Sequence, residues 1–338
     1  MDSQITGFLY NTGMFGTCAN PLHRGHVATI LKAAGECREL YIVLSYSLQR
    51  EETDYRLRHQ WLAQTVSHLP HVHIIDLEDD APTKEAYTEE HWQAGAEKIR
   101  QLIGKPVNAI YCGSDYCADR PSPYERHYPE ARIIYTNRAE IPISSSAIRQ
   151  APLQHWQYLA RAARPHFVSK VLIIGHESTG KSTMVQNLAA LYDTEFVPEL
   201  GRDVCARCGG TEYMLRGDFE EIVSAHRAAI VEACRRSNRY LFIDTDAITT
   251  YWYASLSGID MPRPTPDEFH LILFLEADVP FVQDDLRSAA NNEGESRSEF
   301  SDALKQLYRD SGYSFHTIRG ASYSERLSQA MQYIDSLS

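Results

Sequence analysis

Eight consecutive residues, Gly175-His176-Glu177-Ser178-Thr179-Gly180-Lys181-Ser182, have the types and spacing needed to hold a triphosphate. They read G-x-x-x-x-G-K-[ST], a loop whose glycines let the backbone turn its N–H groups inward around phosphate oxygens. In such a loop the ammonium of Lys181 reaches the outer phosphates and the hydroxyl of Ser182 holds Mg²⁺. The nucleotide is therefore expected among Gly175, Glu177, Ser178, Thr179, Gly180, Lys181, Ser182 and Thr183. The apolar run Val171-Leu172-Ile173-Ile174 before the loop reads as a buried strand, and helical spacing returns from Met184 to Leu191. A helix N-terminus with its partial positive charge then faces the anion. The chain is expected to bind a nucleoside triphosphate.

A second constellation lies near the start. His23-Arg24-Gly25-His26 is H-x-G-H between a first strand and a first helix, so two imidazoles can face phosphate at a helix N-terminus. There they can donate hydrogen bonds to charge developing on an α-phosphoryl group. Ile143-Ser144-Ser145-Ser146-Ala147-Ile148-Arg149 follows a later strand and reads I-S-x-[TS]-x-x-R. The pair resembles the two signature elements of the α/β nucleotidyltransferases, in which the second binds the β- and γ-phosphates. That resemblance puts Gly16, Thr17, His23, His26, Ser144, Ser146 and Arg149 around a second ATP.

Elements at regular intervals must position these residues. Strands are expected at Gly7–Tyr10 running towards Phe15, at Leu40–Leu44, His71–Ile75, Asn108–Cys112 and Arg132–Tyr135. Helices fall between them: one carrying Val27, Ile30, Leu31 and Ala34 and turning near Gly35, then Arg56–Leu69 and Glu89–Leu102. Residues 151–168 carry two prolines and read as a short helical connector. After the loop strand come Phe196-Val197, a helix over Glu221–Arg235, a strand Tyr240–Ile243 ending at Asp244, and a strand Leu271–Leu275. Leu286–Glu299 is polar and reads as mobile; helices follow over Glu299–Ser311 and Ser324–Leu337, the latter capped by Ser324. Alternating strands and helices predict mainly parallel sheets. The fold class is α/β: a Rossmann-like nucleotidyltransferase domain over 1–150, then a P-loop kinase domain over 169–338.

Composition agrees with two soluble domains: 338 residues, 43% hydrophobic and 23% charged. A net charge of −12 without a basic block argues against a nucleic-acid partner. No apolar window is long enough for a membrane span, and no signal peptide is evident. Seven scattered cysteines suit reduced thiols in the cytoplasm. Cys205 and Cys208 form a lone C-x-x-C, too little for zinc, and Glu78-Asp79-Asp80 reads as a solvated loop face.

An H-x-G-H unit followed directly by a P-loop unit resembles the bifunctional nicotinamide-mononucleotide adenylyltransferase/ribosylnicotinamide kinase family. The likeness spans essentially the whole chain, including Phe15-Gly16, Pro21-Leu22-His23, Trp92, Glu199-Leu200-Gly201-Arg202-Asp203, Asp244-Thr245-Asp246 and Asp285-Leu286-Arg287-Ser288. Some members carry an N-terminal DNA-binding domain, which this chain is expected to lack. The resemblance implies two ATP- and Mg²⁺-dependent reactions: adenylyl transfer to nicotinamide mononucleotide giving NAD, and 5′-phosphorylation of nicotinamide riboside. The first would use His23, His26 and Arg149, with Arg138 meeting a substrate phosphate. Trp92 is either a platform for the pyridinium ring or a core residue of its helix. Ser114 and Asp115, after the fourth strand, would lie near adenosine. The second reaction would use Lys181, with Asp244 and Ser182 on the metal, Glu199 taking the hydroxyl proton, and Arg287 over the phosphoryl group. Asp246 is expected at the riboside. Arg202 either anchors phosphate or pairs with a carboxylate, and Arg297 reads as a solvated loop charge. A homo-oligomer is compatible with all of this.

One departure concerns Gly16-Thr17-Cys18-Ala19-Asn20-Pro21, which is one residue longer than the family's loop and lacks its aromatic residue. The Asn20 side chain is expected to re-form the turn. Two rival readings are a coenzyme A synthase-like fusion, whose first motif usually has Thr where His23 stands, and a nucleotide sensor with weakened catalysis.

Overall fold

The structure, a computed structural model, describes residues 7–49, 53–79, 81, 86–117, 121–136, 141–279 and 294–337. The chain divides into two compact units, Met1–Arg164 and Pro165–Ser338. In the first, strands β1 (Tyr10–Thr17), β2 (Cys37–Tyr46), β3 (Val72–Glu78), β4 (Ala109–Gly113) and β5 (Arg132–Thr136) alternate with helices α1 (Arg24–Glu36), α2 (Tyr55–Val66), α3 (Glu89–Ile103), α4 (Pro123–His127) and α5 (Ser145–Gln150). The strands are all parallel, in the order β3-β2-β1-β4-β5. Strand order therefore reverses at β1, and a crevice opens beyond the carboxyl ends of β1 and β4, where open α/β sheets bind ligands.

The second unit repeats this logic. Strands β6 (Ser169–Gly175), β7 (Phe196–Val197), β8 (Tyr240–Asp244), β9 (Leu271–Leu275) and β10 (His316–Ile318) form a parallel sheet in the order β10-β9-β6-β8-β7. Its helices are α6 (Lys181–Leu191), α7 (Gly201–Cys208), α8 (Arg216–Cys234), α9 (Ala247–Leu256), α10 (Gly294–Asp310) and α11 (Tyr323–Asp335). Strands β8 and β9 are buried throughout and β6 at every residue but Lys170, and their sequences are nearly unbroken apolar runs.

The structure differs from the sequence reading in several places. No turn forms at Gly35: α1 runs through it to Glu36 and passes directly into β2, with the Cys37 N–H bonded to the Ala33 carbonyl. Helix α10 begins at Gly294, so part of the segment read as polar and mobile is helical. Helix α11 is capped by Ser322, whose side chain accepts from the Glu325 N–H, and Ser324 lies inside it. Helices α7 and α9 and strand β10 had no counterpart in the reading. No helix among the described residues is long and apolar enough to cross a membrane.

The segment after α5 is more than a tether. Trp156, Leu159, Ala160 and Ala163 are buried, the Ala160 N–H donates to the Leu22 carbonyl at 3.1 Å, and Leu159 pairs with His23 in an isolated bridge. This segment supports the H-x-G-H turn from behind. Trp156→Ala is expected to destabilise the first unit by about 3–5 kcal/mol. Hydrogen exchange should then show lost protection in β1 and α1, with β6, β8 and β9 unaffected. Unchanged protection in β1 would reduce the segment to a passive linker.

Candidate active sites

In the first unit β1 delivers Gly16 and Thr17 to the sheet edge, and the chain loops to His23, which caps α1. His23 Nδ1 accepts the Gly25 N–H at 3.1 Å, which leaves Nε2 as the protonated, donating nitrogen of the neutral ring. His26, nearly one turn on, stacks on it with ring centroids 3.8 Å apart. The second motif meets the first across the crevice. Ser144 caps α5 by accepting the Ala147 N–H at 3.1 Å, and Arg149 donates to the Ser146 hydroxyl at 3.2 Å and to the Asn20 carbonyl. All seven residues expected around this nucleotide line one cavity of about 1550 Å³.

The lengthened loop is held by its carbonyls. Arg58 of α2, only 1% exposed, donates to the Cys18 carbonyl at 2.7 Å. Arg149 takes the Asn20 carbonyl and the Ser145 hydroxyl takes that of Pro21 at 3.1 Å. Ala19 sits in the left-handed region at φ 46°, its N–H bonded to Thr17 Oγ1. The expected Asn20 side-chain bond is not made: its buried Oδ1 has no hydrogen-bond partner among the described residues. Side chains distant in sequence do that work instead.

Trp92 is half-buried, between the core of its unit and the cavity. It lines the cavity and packs edge-on against Tyr87, Tyr116 and Tyr124. Gly113 and Tyr116 also line it, whereas Ser114 is exposed and off its wall. Arg138 and the side chain of Asp115 lie outside the described residues. Asp79, read as part of a solvated face, instead lines the cavity and accepts a hydrogen bond from Ser45 at 2.6 Å. Its position at the end of β3, beside β2, is what brings it there.

In the second unit β6 ends at Gly175, where a Cβ would collide with the Leu275 carbonyl and φ is +149°. Ser178 and Gly180 also take positive φ, 56° and 85°, which shapes the loop around an anion. The His176 carbonyl accepts from Thr179 Oγ1 at 2.8 Å and from Lys181 Nζ at 3.1 Å. Asp244, at the end of β8 and 1% exposed, has both carboxylate oxygens outside any hydrogen bond of normal geometry. Burial pushes its pKa up, opposed by the Lys181 charge and the Ser182 hydroxyl, and reinforced by Glu199. A buried carboxylate with bare oxygens beside a serine hydroxyl suits a hard cation.

A cleft beside the loop is lined by Glu177, Lys181, Glu199, Arg202 and His226, with Met214, Phe219 and Tyr253 forming an apolar wall. Arg202 pairs with Glu199 at 3.2 Å, the carboxylate option of its two readings. Asp246 does not line this cleft. It caps α9 through the Thr249 N–H at 3.0 Å and accepts from the Tyr308 hydroxyl, a buried structural role. Arg297 is not a solvated charge: it is 6% exposed on α10 and donates to the Val279 carbonyl at 2.9 Å. Arg287 lies outside the described residues. Sequence reading missed Arg58, Asp79, His226 and Arg326.

Two parallel α/β units, each with a phosphate-directed loop at the carboxyl ends of its strands, define a nucleotide-binding protein of fused nucleotidyltransferase and P-loop type. Residues 170–326 match the family model described as an AAA domain. The chain is homologous to NadR: over 93% of its length it is 29% identical to the trifunctional NAD biosynthesis/regulator protein NadR of Escherichia coli (strain K12), covering 80% of that protein. A crystal structure of NadR in complex with NR matches with a TM-score of 0.78 at 21% identity, over 98% of this chain and 96% of that one. Another, in complex with NAD and AMP-PNP, matches with a TM-score of 0.77 at 20% identity, over 98% and 97%.

Asp244 yields a stability prediction. Its folded pKa lies above the unfolded one, so the folded state holds the proton more tightly and stability falls as pH rises through the carboxylate range. With chelator and without nucleotide, Asp244→Asn should therefore melt at a higher temperature than wild type at neutral pH. The gain should shrink as pH falls from the raised folded pKa toward the ordinary carboxylate value, and be gone below it. A lower melting temperature at neutral pH would contradict it.

Proposed function

We propose that this chain makes NAD in two ATP-dependent steps: its second unit phosphorylates nicotinamide riboside, and its first unit adenylylates the resulting nicotinamide mononucleotide. The observation that carries the reading is the meeting of His23, His26, Ser144, Ser146 and Arg149 on one cavity, followed in the same chain by a complete P-loop with Asp244. The homology to NadR over 93% of the chain supports it, as do NadR structures holding NR, or NAD and AMP-PNP.

In the first unit no protein nucleophile is required. The phosphate of the mononucleotide attacks the α-phosphorus of ATP in line, and pyrophosphate leaves. His23, its tautomer fixed by the Gly25 N–H, presents Nε2–H to the charge that develops there. His26 stands parallel beside it, and Arg149, already oriented by Ser146 and Asn20, faces the departing phosphates. Trp92, on the wall of the same cavity, would meet the cationic pyridinium ring.

In the second unit the riboside hydroxyl attacks the γ-phosphorus. Glu199 accepts its proton, with Arg202 holding that carboxylate in place. Lys181 exchanges its bond to the His176 carbonyl for the outer phosphates. Ser182 and Asp244 would hold Mg²⁺, which would supply charge neutralisation on the phosphates. Seven scattered cysteines in no paired framework suit a reducing compartment, and a cytoplasmic location goes with this reading. The anchoring of the long loop by Arg58, Ser145 and Arg149 takes away the argument for a catalytically weakened sensor.

Two variants test the division of labour. Lys181→Ala should abolish riboside phosphorylation and leave adenylyl transfer at wild-type rate. His26→Ala should do the reverse, with the loss of NAD formation chiefly in kcat because the bond is to a charged transition state. Loss of both activities in either folded variant would contradict two independent sites.

A further inference from the structure

Arg326 lies on α11, far in sequence from the P-loop, and is 3% exposed. Its guanidinium bridges two main-chain carbonyls on different elements. Nη1 donates to the Thr179 carbonyl at 2.9 Å, inside the P-loop, and Nη2 donates to the Glu276 carbonyl at 2.7 Å, just beyond β9. Asp278 stands 3.7 Å from the same Nη2 and helps to keep the buried charge, against the pull of burial on it. Only a planar fork with several donors spans two carbonyls in this way; a lysine ammonium is a point charge.

The Thr179 carbonyl is one end of the Thr179–Gly180 peptide. A trans peptide is planar, and its N–H points opposite to its C=O. Fixing the carbonyl toward α11 therefore fixes the Gly180 N–H in the opposite direction, away from α11. Gly180, at φ +85°, is free of a Cβ and has the widest choice of other conformations, so an unpinned peptide here could rotate. The neighbouring His176 carbonyl is held from within the loop by Thr179 Oγ1 and Lys181, whereas the Thr179 carbonyl depends on Arg326.

We propose that Arg326 is a positioning residue for the P-loop: it turns the Gly180 N–H toward the triphosphate and so sets the affinity of the second unit for ATP from the C-terminal helix. This rests on the reading of the second unit as an ATP-dependent riboside kinase. It makes ATP affinity depend on how α11 seats against the loop, which the P-loop motif alone does not show.

The test is steady-state kinetics of full-length Arg326→Met, which keeps most of the apolar stem and loses both donors. Loss of a charge-assisted hydrogen bond should raise KM for ATP in riboside phosphorylation by about 10- to 100-fold. KM for nicotinamide riboside and the rate of adenylyl transfer should stay at wild-type values. Guanidinium ion at a non-denaturing concentration should restore ATP affinity in Arg326→Ala, which a general packing defect would not allow. If Arg326→Met melts below the assay temperature, Arg326→Lys is read by the same criterion. A folded variant with unchanged KM for ATP, or with both KM values raised equally and no rescue, overturns the inference. Wild-type protein that binds ATP but phosphorylates no riboside would instead sink the kinase reading.

Discussion

A loop that presents its N–H groups to a phosphate must turn its carbonyls back into the protein, where each needs a donor. Both units of this chain are built around that requirement. In the first, the carbonyls of Cys18, Asn20 and Pro21 are taken by Arg58, Arg149 and Ser145, drawn from two different helices. In the second, the carbonyl of His176 is taken by Thr179 and Lys181, and that of Thr179 by Arg326. An anion site therefore implies a ring of buried donors behind it. Arg58 and Arg326, both almost wholly inaccessible, fill that role here, with the more exposed Arg149 beside the cavity.

The parallel sheets decide where those loops can be. Every loop that follows a strand emerges at the same edge, so residues separated by a hundred or more positions converge there. Gly16 arrives from β1, Gly113 from β4 and Ser144 from beyond β5. Asp244 reaches the P-loop in the second unit because β8 lies directly beside β6. The arrangement has a cost, since a carboxylate carried to that edge on a buried strand is desolvated. Asp244 bears it beside the P-loop, and at Asp246 the bonds from the Thr249 N–H and the Tyr308 hydroxyl to Oδ1 offset it only in part, so burial still pushes the pKa up.

The sequence disclosed whatever has a local signature. Glycine spacing, paired histidines and apolar runs are set by backbone geometry within one strand–loop–helix unit, so the P-loop, H-x-G-H and most strands were readable. Arg58 and Arg326 were not, because a lone arginine inside a helix has the same local pattern whether it faces water or grips a carbonyl two elements away. Trp156 was hidden by flanking prolines and polar residues that resemble a linker. Asp246 and Asp244 share one short segment, yet β8 ends at Asp244 and Asp246 begins the next helix as its cap, so their roles diverge at a boundary that periodicity does not fix. Asp79 belongs to an acidic run whose face depends on the pairing of β3 with β2.

Two chemistries that share one chain and run in sequence must leave a fixed product ratio. Product stoichiometry tests this most directly: purified protein is given nicotinamide riboside, ATP and Mg²⁺, and NAD, ADP and pyrophosphate are counted over time. One ADP and one pyrophosphate are expected for every NAD, with nicotinamide mononucleotide appearing first and then being consumed. ADP and mononucleotide accumulating without pyrophosphate or NAD, or no turnover of the riboside at all, would contradict it.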